Sequence, residues 1–198
     1  MKHTLLAEGI GTFALALSVL LSVTVLDPIL ATPLIAALVL GLFVYSIGSV
    51  SGCHINPAVT AGLWSLGKIT TKDSIYYIAV QCTGALLALG LVSVTLGGVA
   101  LGLAPESSSV FFAELVGMAF FTFGIAAVVF GRVKDAASGL VIGGSLLLGI
   151  MTAAHLGSAG ILNPAVGLAL GATSLSYIFG AVAGSVIGMH LYKMVLKN

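Results

Sequence analysis

Two identical tripeptides stand out in a chain that has few charged side chains. They are Asn56-Pro57-Ala58 and Asn163-Pro164-Ala165. Asparagine is a strong helix N-cap, and proline is favoured at the first helical position because its missing N–H would lack a partner there anyway. Each tripeptide therefore predicts a helix start. A helix N-terminus carries about half a positive elementary charge. These two helix starts could therefore donate hydrogen bonds and repel cations.

Two carboxylates, Glu8 and Glu114, lie inside long apolar stretches. If those stretches cross a membrane, each carboxylate costs at least about 2.5 kcal/mol and needs a partner. One interpretation makes them a proton relay or an ion site. The other makes them braces that hold loop backbone behind a pore, and their matched positions in an internal repeat favour this second interpretation.

The composition indicates that the bilayer is the solvent. Of 198 residues, 59% are hydrophobic and 7% are charged, with mean hydropathy +1.22, whereas a soluble domain carries about 25% charged residues. A net charge of +1 gives no reason to expect a nucleic-acid partner. The sequence contains no metal-ligand cluster, nucleophile–base set or phosphate-binding loop, so we expect no metal, no cofactor and no enzymatic activity.

Six apolar stretches are long enough to span a bilayer, at about 20 residues per span. They lie at about 4–25, 33–51, 74–97, 109–130, 137–156 and 174–195. Two shorter stretches, at about 56–66 and 163–172, follow the Asn-Pro pairs and cannot cross. The sequence therefore predicts an all-α membrane protein with a single membrane domain over residues 1–198.

The chain also repeats itself, over about residues 1–100 and 107–198. Ala-Glu-x-x-Gly opens both halves, and the separation from Glu to Asn is 48 residues in the first half and 49 in the second. Each half contains three spans, an odd number, so the halves must insert with opposite orientation. Inverted repeats of this kind build transport sites near the membrane midplane from interrupted helices.

The basic residues divide unequally between the two sides of this layout. With six spans, all seven fall on the side of the termini: Lys2, Lys68, Lys72, Arg132, Lys134, Lys193 and Lys197. The opposite side holds Asp27 and Glu106. Because basic loops stay in the cytoplasm, both termini are predicted to be cytoplasmic, in a multi-pass protein of the cell membrane.

Residues 51–60, Ser-Gly-Cys-His-Ile-Asn-Pro-Ala-Val-Thr, resemble the first signature of the aquaporin, or major intrinsic protein, family. Leu162-Asn163-Pro164-Ala165 resembles the second, and the resemblance covers the whole chain. It implies an aquaporin-like fold, with six transmembrane helices and two half-helices in two inverted repeats. It also implies a passive channel for water or other small uncharged solutes, assembled as a homotetramer with one pore in each subunit.

The resemblance assigns roles to several residues. Asn56 and Asn163 would donate hydrogen bonds to the permeant molecule at the pore centre, and Glu8 and Glu114 would brace the loops. An outer selectivity filter would be formed by Ala36, Met151, Gly160 and Val166. Cys53, the repeat mate of Gly160, and His54 would line the inner part of the pore.

The outer filter departs from the family pattern. Arginine usually follows the second Asn-Pro-Ala, and here the residue is Val166. The usual aromatic residue is also missing, so the ring would be wide, apolar and without a fixed charge, as in plant vacuolar members that resemble channels admitting ammonia and urea. Val166-Gly167 argues against the glycerol-facilitator branch, which normally has Arg-Asp there. His155 lies one turn beyond Met151 on the same helix face, and we predict that it also lines the pore. It would replace Met151 in the filter if the alignment were shifted by four residues.

Two alternatives to a passive channel remain. An ion-coupled secondary transporter also uses inverted repeats and broken helices, and its coupling would have to rely on Glu8 and Glu114. A structural relative that does not conduct would share the same sequence features.

The unequal distribution of basic residues generates a topology prediction. A cysteine introduced at Lys134 should resist a membrane-impermeant thiol reagent in intact cells, and one at Glu106 should react. Permeabilised cells give the control, in which both positions react. Stronger labelling at Lys134 than at Glu106 in intact cells would show that the orientation is reversed.

Overall fold

The computed structural model describes residues 1–25, 28–97 and 106–196, and the side chains of these residues except those at 24, 25 and 28–30. The expectations for Asp27 and Lys197 fall outside the described residues. The described chain forms eight helices: α1 (Lys2–Val25), α2 (Pro28–Ser51), α3 (Pro57–Ser65), α4 (Thr71–Leu96), α5 (Ser108–Val129), α6 (Asp135–His155), α7 (Pro164–Leu170) and α8 (Leu175–Val195).

Six of these helices are long and apolar enough to cross a membrane. The other two, α3 and α7, have 9 and 7 residues and are too short to span. Many large apolar side chains on the long helices point outward: Leu42 is 64% exposed, Leu140 75% and Phe112 60%. Water would penalise such a surface and lipid does not. The predicted all-α membrane fold of six spans and two half-helices is confirmed.

Two helix starts differ from the sequence prediction by three residues or more. α2 begins at Pro28 instead of residue 33, and Pro33 lies inside the helix. A proline in the second turn removes one backbone hydrogen bond, which a membrane helix tolerates when neighbouring groups compensate. α4 begins at Thr71 instead of residue 74 because the Thr70 side chain caps it, accepting a hydrogen bond from the Asp73 N–H at 3.1 Å. Hydropathy alone misses such polar first turns.

The two halves of the chain pack in the same pattern. In the first half α1 contacts α2 and α4, and in the second half α5 contacts α6 and α8. The halves meet where α2 packs on α6, and each half-helix also contacts the other half, α3 on α8 and α7 on α1 and α4. The half-helices are thereby enclosed by the spanning helices, and α3 also contacts α7.

Glycine permits the close approach of α2 and α6. A Cβ atom added at Gly143 would lie 2.5 Å from the carbonyl oxygen of Ala37, and one at Gly41 would lie 2.9 Å from the carbonyl oxygen of Gly139. Side chains at these crossings would push the backbones apart, since small residues are what lets membrane helices pack closely. The adjacent Gly144 is exposed and has no atom within 4 Å of an added Cβ.

This crossing predicts a difference between two neighbouring glycines. Gly143→Val should lower the thermal unfolding midpoint of the detergent-solubilised protein, because overpacking costs about 1–3 kcal/mol. Gly144→Val is the matched control and should leave the midpoint close to that of the unchanged protein. Equal midpoints for the two variants would show that the α2–α6 crossing is not tightly packed.

Candidate transport pathway between the two half-helices

Each short helix begins in the same way. Asn56 caps α3 by accepting hydrogen bonds from the N–H groups of Ala58 at 2.8 Å and Val59 at 3.4 Å. Asn163 caps α7 by accepting them from Ala165 at 3.1 Å and Val166 at 3.4 Å. The carbonyl oxygen of each asparagine side chain is therefore fixed on its own helix, and its amide nitrogen is directed away from that helix.

The two amide nitrogens hold the halves of the protein together. Asn56 Nδ2 donates to the carbonyl oxygen of Leu162 at 2.9 Å, and Asn163 Nδ2 donates to that of Ile55 at 3.0 Å. Both asparagines are buried. The N-termini of α3 and α7 thus meet inside the protein, which the inverted repeat led us to expect.

Glu8 lies behind the segment that leads into α3. Its carboxylate accepts hydrogen bonds from Ser51 Oγ at 2.6 Å, from the N–H groups of His54 at 2.9 Å and Ile55 at 2.7 Å, and from Gln81 Nε2 at 2.8 Å. Glu8 is fully buried. Its oxygens are committed to the loop backbone and to these side chains, which is the geometry of a brace.

Glu114 holds the second segment with the corresponding atoms. It accepts hydrogen bonds from Ser158 Oγ and from the N–H groups of Ile161 at 2.9 Å and Leu162 at 2.7 Å. Ser158 in turn accepts the N–H of Gly160 at 3.2 Å. The two braces therefore correspond bond for bond, except that Gln81 contacts Glu8 and has alanine as its repeat mate, Ala181.

The braced segments have an unusual backbone. Cys53, Ile55 and Leu162 have φ values of 52°, 39° and 51°, and Gly160 has 67°. Bulky L-residues seldom adopt this left-handed region, at a cost of roughly 1–2 kcal/mol each. Because Ile55 and Leu162 are the residues whose N–H groups bind the carboxylates and whose carbonyls bind the opposite asparagines, the hydrogen bonds compensate for this local cost.

Two cavities adjoin the half-helices. The first, which we call the Val166 cavity, has a volume of about 530 Å³. Its lining includes most of the predicted filter and pore-centre residues, namely Ala36, Gly160, Val166, Asn56 and Asn163. The second, the Lys68 cavity, has a volume of about 620 Å³ and is lined by Cys53, Val59, Lys68 and Asp135 among others.

One predicted filter residue is displaced. Ile150, and not Met151, is among the described residues that line the Val166 cavity. The lining positions on α6 are Leu146, Ile150 and Ala154, which recur every four residues along one helix face. A Cβ atom at Gly160 would lie 2.8 Å from the carbonyl oxygen of Ile150, so these two residues are neighbours in the ring.

The error comes from the count along the chain. The prediction counted twelve residues back from Asn163 without a gap, and the lining residue Ile150 is one residue earlier. One residue turns a helix by about 100°, so the count fell on the wrong face of α6. His155 is exposed and absent from the described lining, and its Nδ1 lies 2.7 Å from the carbonyl oxygen of Met151.

The two cavities share three lining residues: Leu40, His54 and Phe121. We call these residues the neck. His54 was predicted from its place before Asn56, whereas Leu40 and Phe121 were missed. The available signal for Phe121 was its position seven residues after Glu114, which matches that of Leu15 after Glu8.

The His54 ring is held by Thr60. Its Nδ1 lies 3.2 Å from Thr60 Oγ1, and Thr60 Oγ1 donates to the carbonyl oxygen of Asn56 at 3.1 Å. Thr60 Oγ1 also accepts a hydrogen bond from Gln81 Nε2 at 3.1 Å, so the position of the His54 ring is fixed by a network that includes the capping asparagine and Gln81.

Comparison with known proteins now decides the family. A family model described as Major intrinsic protein matches residues 1–192. The chain belongs to the major intrinsic protein family. It is therefore an aquaporin-type channel for water and small solutes, and it is not an enzyme.

Individual relatives agree with this assignment. The chain is 31% identical to a probable aquaporin of Archaeoglobus fulgidus, over 82% of this chain and 74% of the relative, and 30% identical to aquaporin C of Dictyostelium discoideum, over 98% and 80%. The fold of this family member is similar to the crystal structure of the aquaglyceroporin from Plasmodium falciparum, with a TM-score of 0.73 and 21% identity over 99% of this chain and 96% of that one.

The brace at Glu114 generates a stability prediction. Glu114→Leu leaves three buried donors without an acceptor, at about 1–3 kcal/mol each, so we expect little monodisperse protein after detergent extraction. Glu106→Leu removes an exposed carboxylate and is the control, with extraction unchanged. A normally folded Glu114→Leu protein would rule out the bracing role.

Proposed function

We propose that this protein is a passive channel for water and for small uncharged solutes such as ammonia or urea. The pathway runs through each chain, from the Val166 cavity through the neck to the Lys68 cavity, within one channel domain over residues 1–198. The observation that carries the proposal is the pair Asn56 and Asn163 on the wall of the Val166 cavity.

The asparagines supply donors along an otherwise apolar wall. A side-chain amide nitrogen has two hydrogens, and one from each asparagine goes to the carbonyl of the opposite segment. The second hydrogen of each remains for the oxygen of a permeant molecule. Among the described residues that line the Val166 cavity there is no Asp, Glu, Lys or Arg, which suits uncharged solutes.

Exclusion of cations and protons follows from the two half-helices. The N-termini of α3 and α7 each contribute about half a positive charge, and both are directed to the same central region. A cation loses water there without finding a carboxylate, because Glu8 and Glu114 face the loop backbone. Water bound through its oxygen to both asparagines cannot continue an unbroken proton wire.

The ring of the Val166 cavity supports a broadened selectivity. It consists of Ala36, Ile150, Gly160 and Val166, and contains neither arginine nor an aromatic side chain. Discrimination by a site that lacks polar partners is weak, since apolar pockets reject similar solutes by only about 10–200-fold. Solutes somewhat larger than water should therefore enter.

The ion-coupled transporter is the weaker candidate. Coupling would require a carboxylate that is free to bind and release an ion at the pathway. Glu8 and Glu114 are instead saturated by backbone and hydroxyl donors and are absent from the described lining of both cavities. No observation favours coupling over passive flow.

We further propose a homotetramer in the cell membrane, with both termini in the cytoplasm. The family resemblance supports the tetramer, and the positive-inside distribution of basic residues supports the orientation. The described basic residue Lys68 lines the cavity named after it, so that cavity would open to the cytoplasm. The Val166 cavity would open to the outside.

The test is stopped-flow swelling of proteoliposomes with water, urea, ammonia and glycerol compared side by side. We expect water permeability and the passage of at least one larger uncharged solute above the lipid background. Saturable uptake driven by an ion gradient would instead support the transporter. No flux above background for any solute would leave a structural relative that does not conduct.

Position 166 gives a sharper prediction within the same assay. Val166→Arg should reduce the permeability of the larger solute more than that of water, because the long charged side chain narrows the ring. Val166→Met is the matched control for bulk without charge and should have a smaller effect. An equal reduction of both permeabilities by Val166→Arg would show that position 166 does not act as a filter.

A further inference from the structure

The neck is an asymmetric feature in a pathway that is otherwise built symmetrically. Several lining residues of one cavity have a repeat mate in the other: Val166 pairs with Val59, and Leu170 with Leu63. The mates of the three neck residues are Leu146 for Leu40, Ile161 for His54 and Leu15 for Phe121. These mates line the Val166 cavity alone, whereas the neck residues reach both cavities.

Phe121 is the residue that breaks the symmetry by size. Its mate Leu15 occupies the corresponding place on α1, and both side chains are buried, at 2% and 4% exposed. The Phe121 side chain is the bulkier of the two, and it borders both cavities whereas Leu15 borders the Val166 cavity alone.

The ring cannot move aside easily. Phe121 packs in the main hydrophobic core, and a Cβ atom added at Gly149 would lie 3.2 Å from its Cβ, so the backbone of α5 lies close to α6 there. His54 is held by its hydrogen bond to Thr60 at 3.2 Å. The neck therefore consists of two apolar side chains and one imidazole at the boundary of the two cavities, and at least Phe121 and His54 are held in place by their neighbours.

We propose that Phe121 sets the upper size limit for solutes in this channel, at the neck, in place of the outer ring. This inference rests on the proposed channel function. The outer ring lacks the aromatic residue and the arginine that would narrow the pathway, and it contains the smaller residues Gly160 and Val166. The excluded solutes are neutral polyols that are too long to pass through the space beside the Phe121 ring.

The experiment measures the permeability of proteoliposomes to water, urea, glycerol, erythritol and xylitol. Phe121→Leu, which copies the repeat mate, should raise the ratio of erythritol to water permeability by about tenfold or more, the range expected for a change of one or two methylene-sized groups in an apolar pocket. Phe121→Trp should lower the ratio of glycerol to water permeability. Phe120→Leu is the matched control and should leave every ratio unchanged. Phe120 directly precedes Phe121 on α5, is 49% exposed and points outward.

The outcomes separate this inference from the proposed function. If the unchanged protein conducts neither water nor urea, the channel function fails and the inference with it. If it conducts and Phe121→Leu leaves the polyol series unchanged, or lowers all permeabilities by the same factor, Phe121 is a packing residue and the inference is wrong. Should Phe121→Leu not reach the membrane, Phe121→Met and Leu40→Ala probe the same neck and must shift the polyol limit in the same direction.

Discussion

Peptide groups inside a bilayer find no water to bind, and the whole pathway depends on how this protein meets that constraint in two places. The chain leaves α2 at Ser51 and α6 at His155, and after the hydrogen bonds that close these helices it is non-helical up to Asn56 and Asn163. Non-helical backbone at this depth persists only where protein or an aqueous cavity satisfies it. Two buried carboxylates do so from one side, and the side-chain amides of the opposite half do so from the other.

This arrangement couples the two halves strongly. Each asparagine caps its own helix with its oxygen and holds the other half with its nitrogen, so neither half-helix can be placed correctly alone. The left-handed backbone at Ile55 and Leu162 is what presents an N–H to the carboxylate and a carbonyl to the asparagine at once. The local cost of this conformation persists because the surrounding hydrogen bonds determine it from several directions.

The sequence predicts the spans and the half-helices well because their signals are local. Hydropathy identifies six stretches, and Asn-Pro marks both short helices at their first residues. The start of α2 was predicted too late because Pro33 was read as a break, although a membrane helix accommodates it. The polar first turn of α4 was missed because its start depends on the Thr70 cap and not on hydropathy.

Side chains that face the pathway are harder to predict, since their role depends on helix rotation and not on residue type. A count that was wrong by one residue between α6 and Asn163 was enough to predict Met151 where the structure has Ile150. Leu40 looks like an ordinary core residue in the sequence, and the only mark of Phe121 is its place seven residues after Glu114, as Leu15 stands after Glu8. Both are buried, as are Leu20 and Met118, which line neither cavity. Only the three-dimensional positions of the two cavities show that Leu40 and Phe121 border both of them.

The comparison of the two halves shows which positions are constrained by folding and which are free to set selectivity. Where an atom satisfies backbone, the repeat is kept: Glu8 and Glu114, Ser51 and Ser158, Asn56 and Asn163.

Where a side chain borders a cavity, the halves diverge at some positions, with Cys53 against Gly160 and Phe121 against Leu15, and agree at others, with Val59 against Val166. The divergence at Gly160 has a structural reason. Its φ is 67° and the carbonyl oxygen of Ile150 lies close by, so the second half has no room for a side chain at this position. The first half has a cysteine at the same position. A symmetric frame thus carries an asymmetric lining, with Gly160 and Val166 in one cavity and Leu40, His54 and Phe121 between the two.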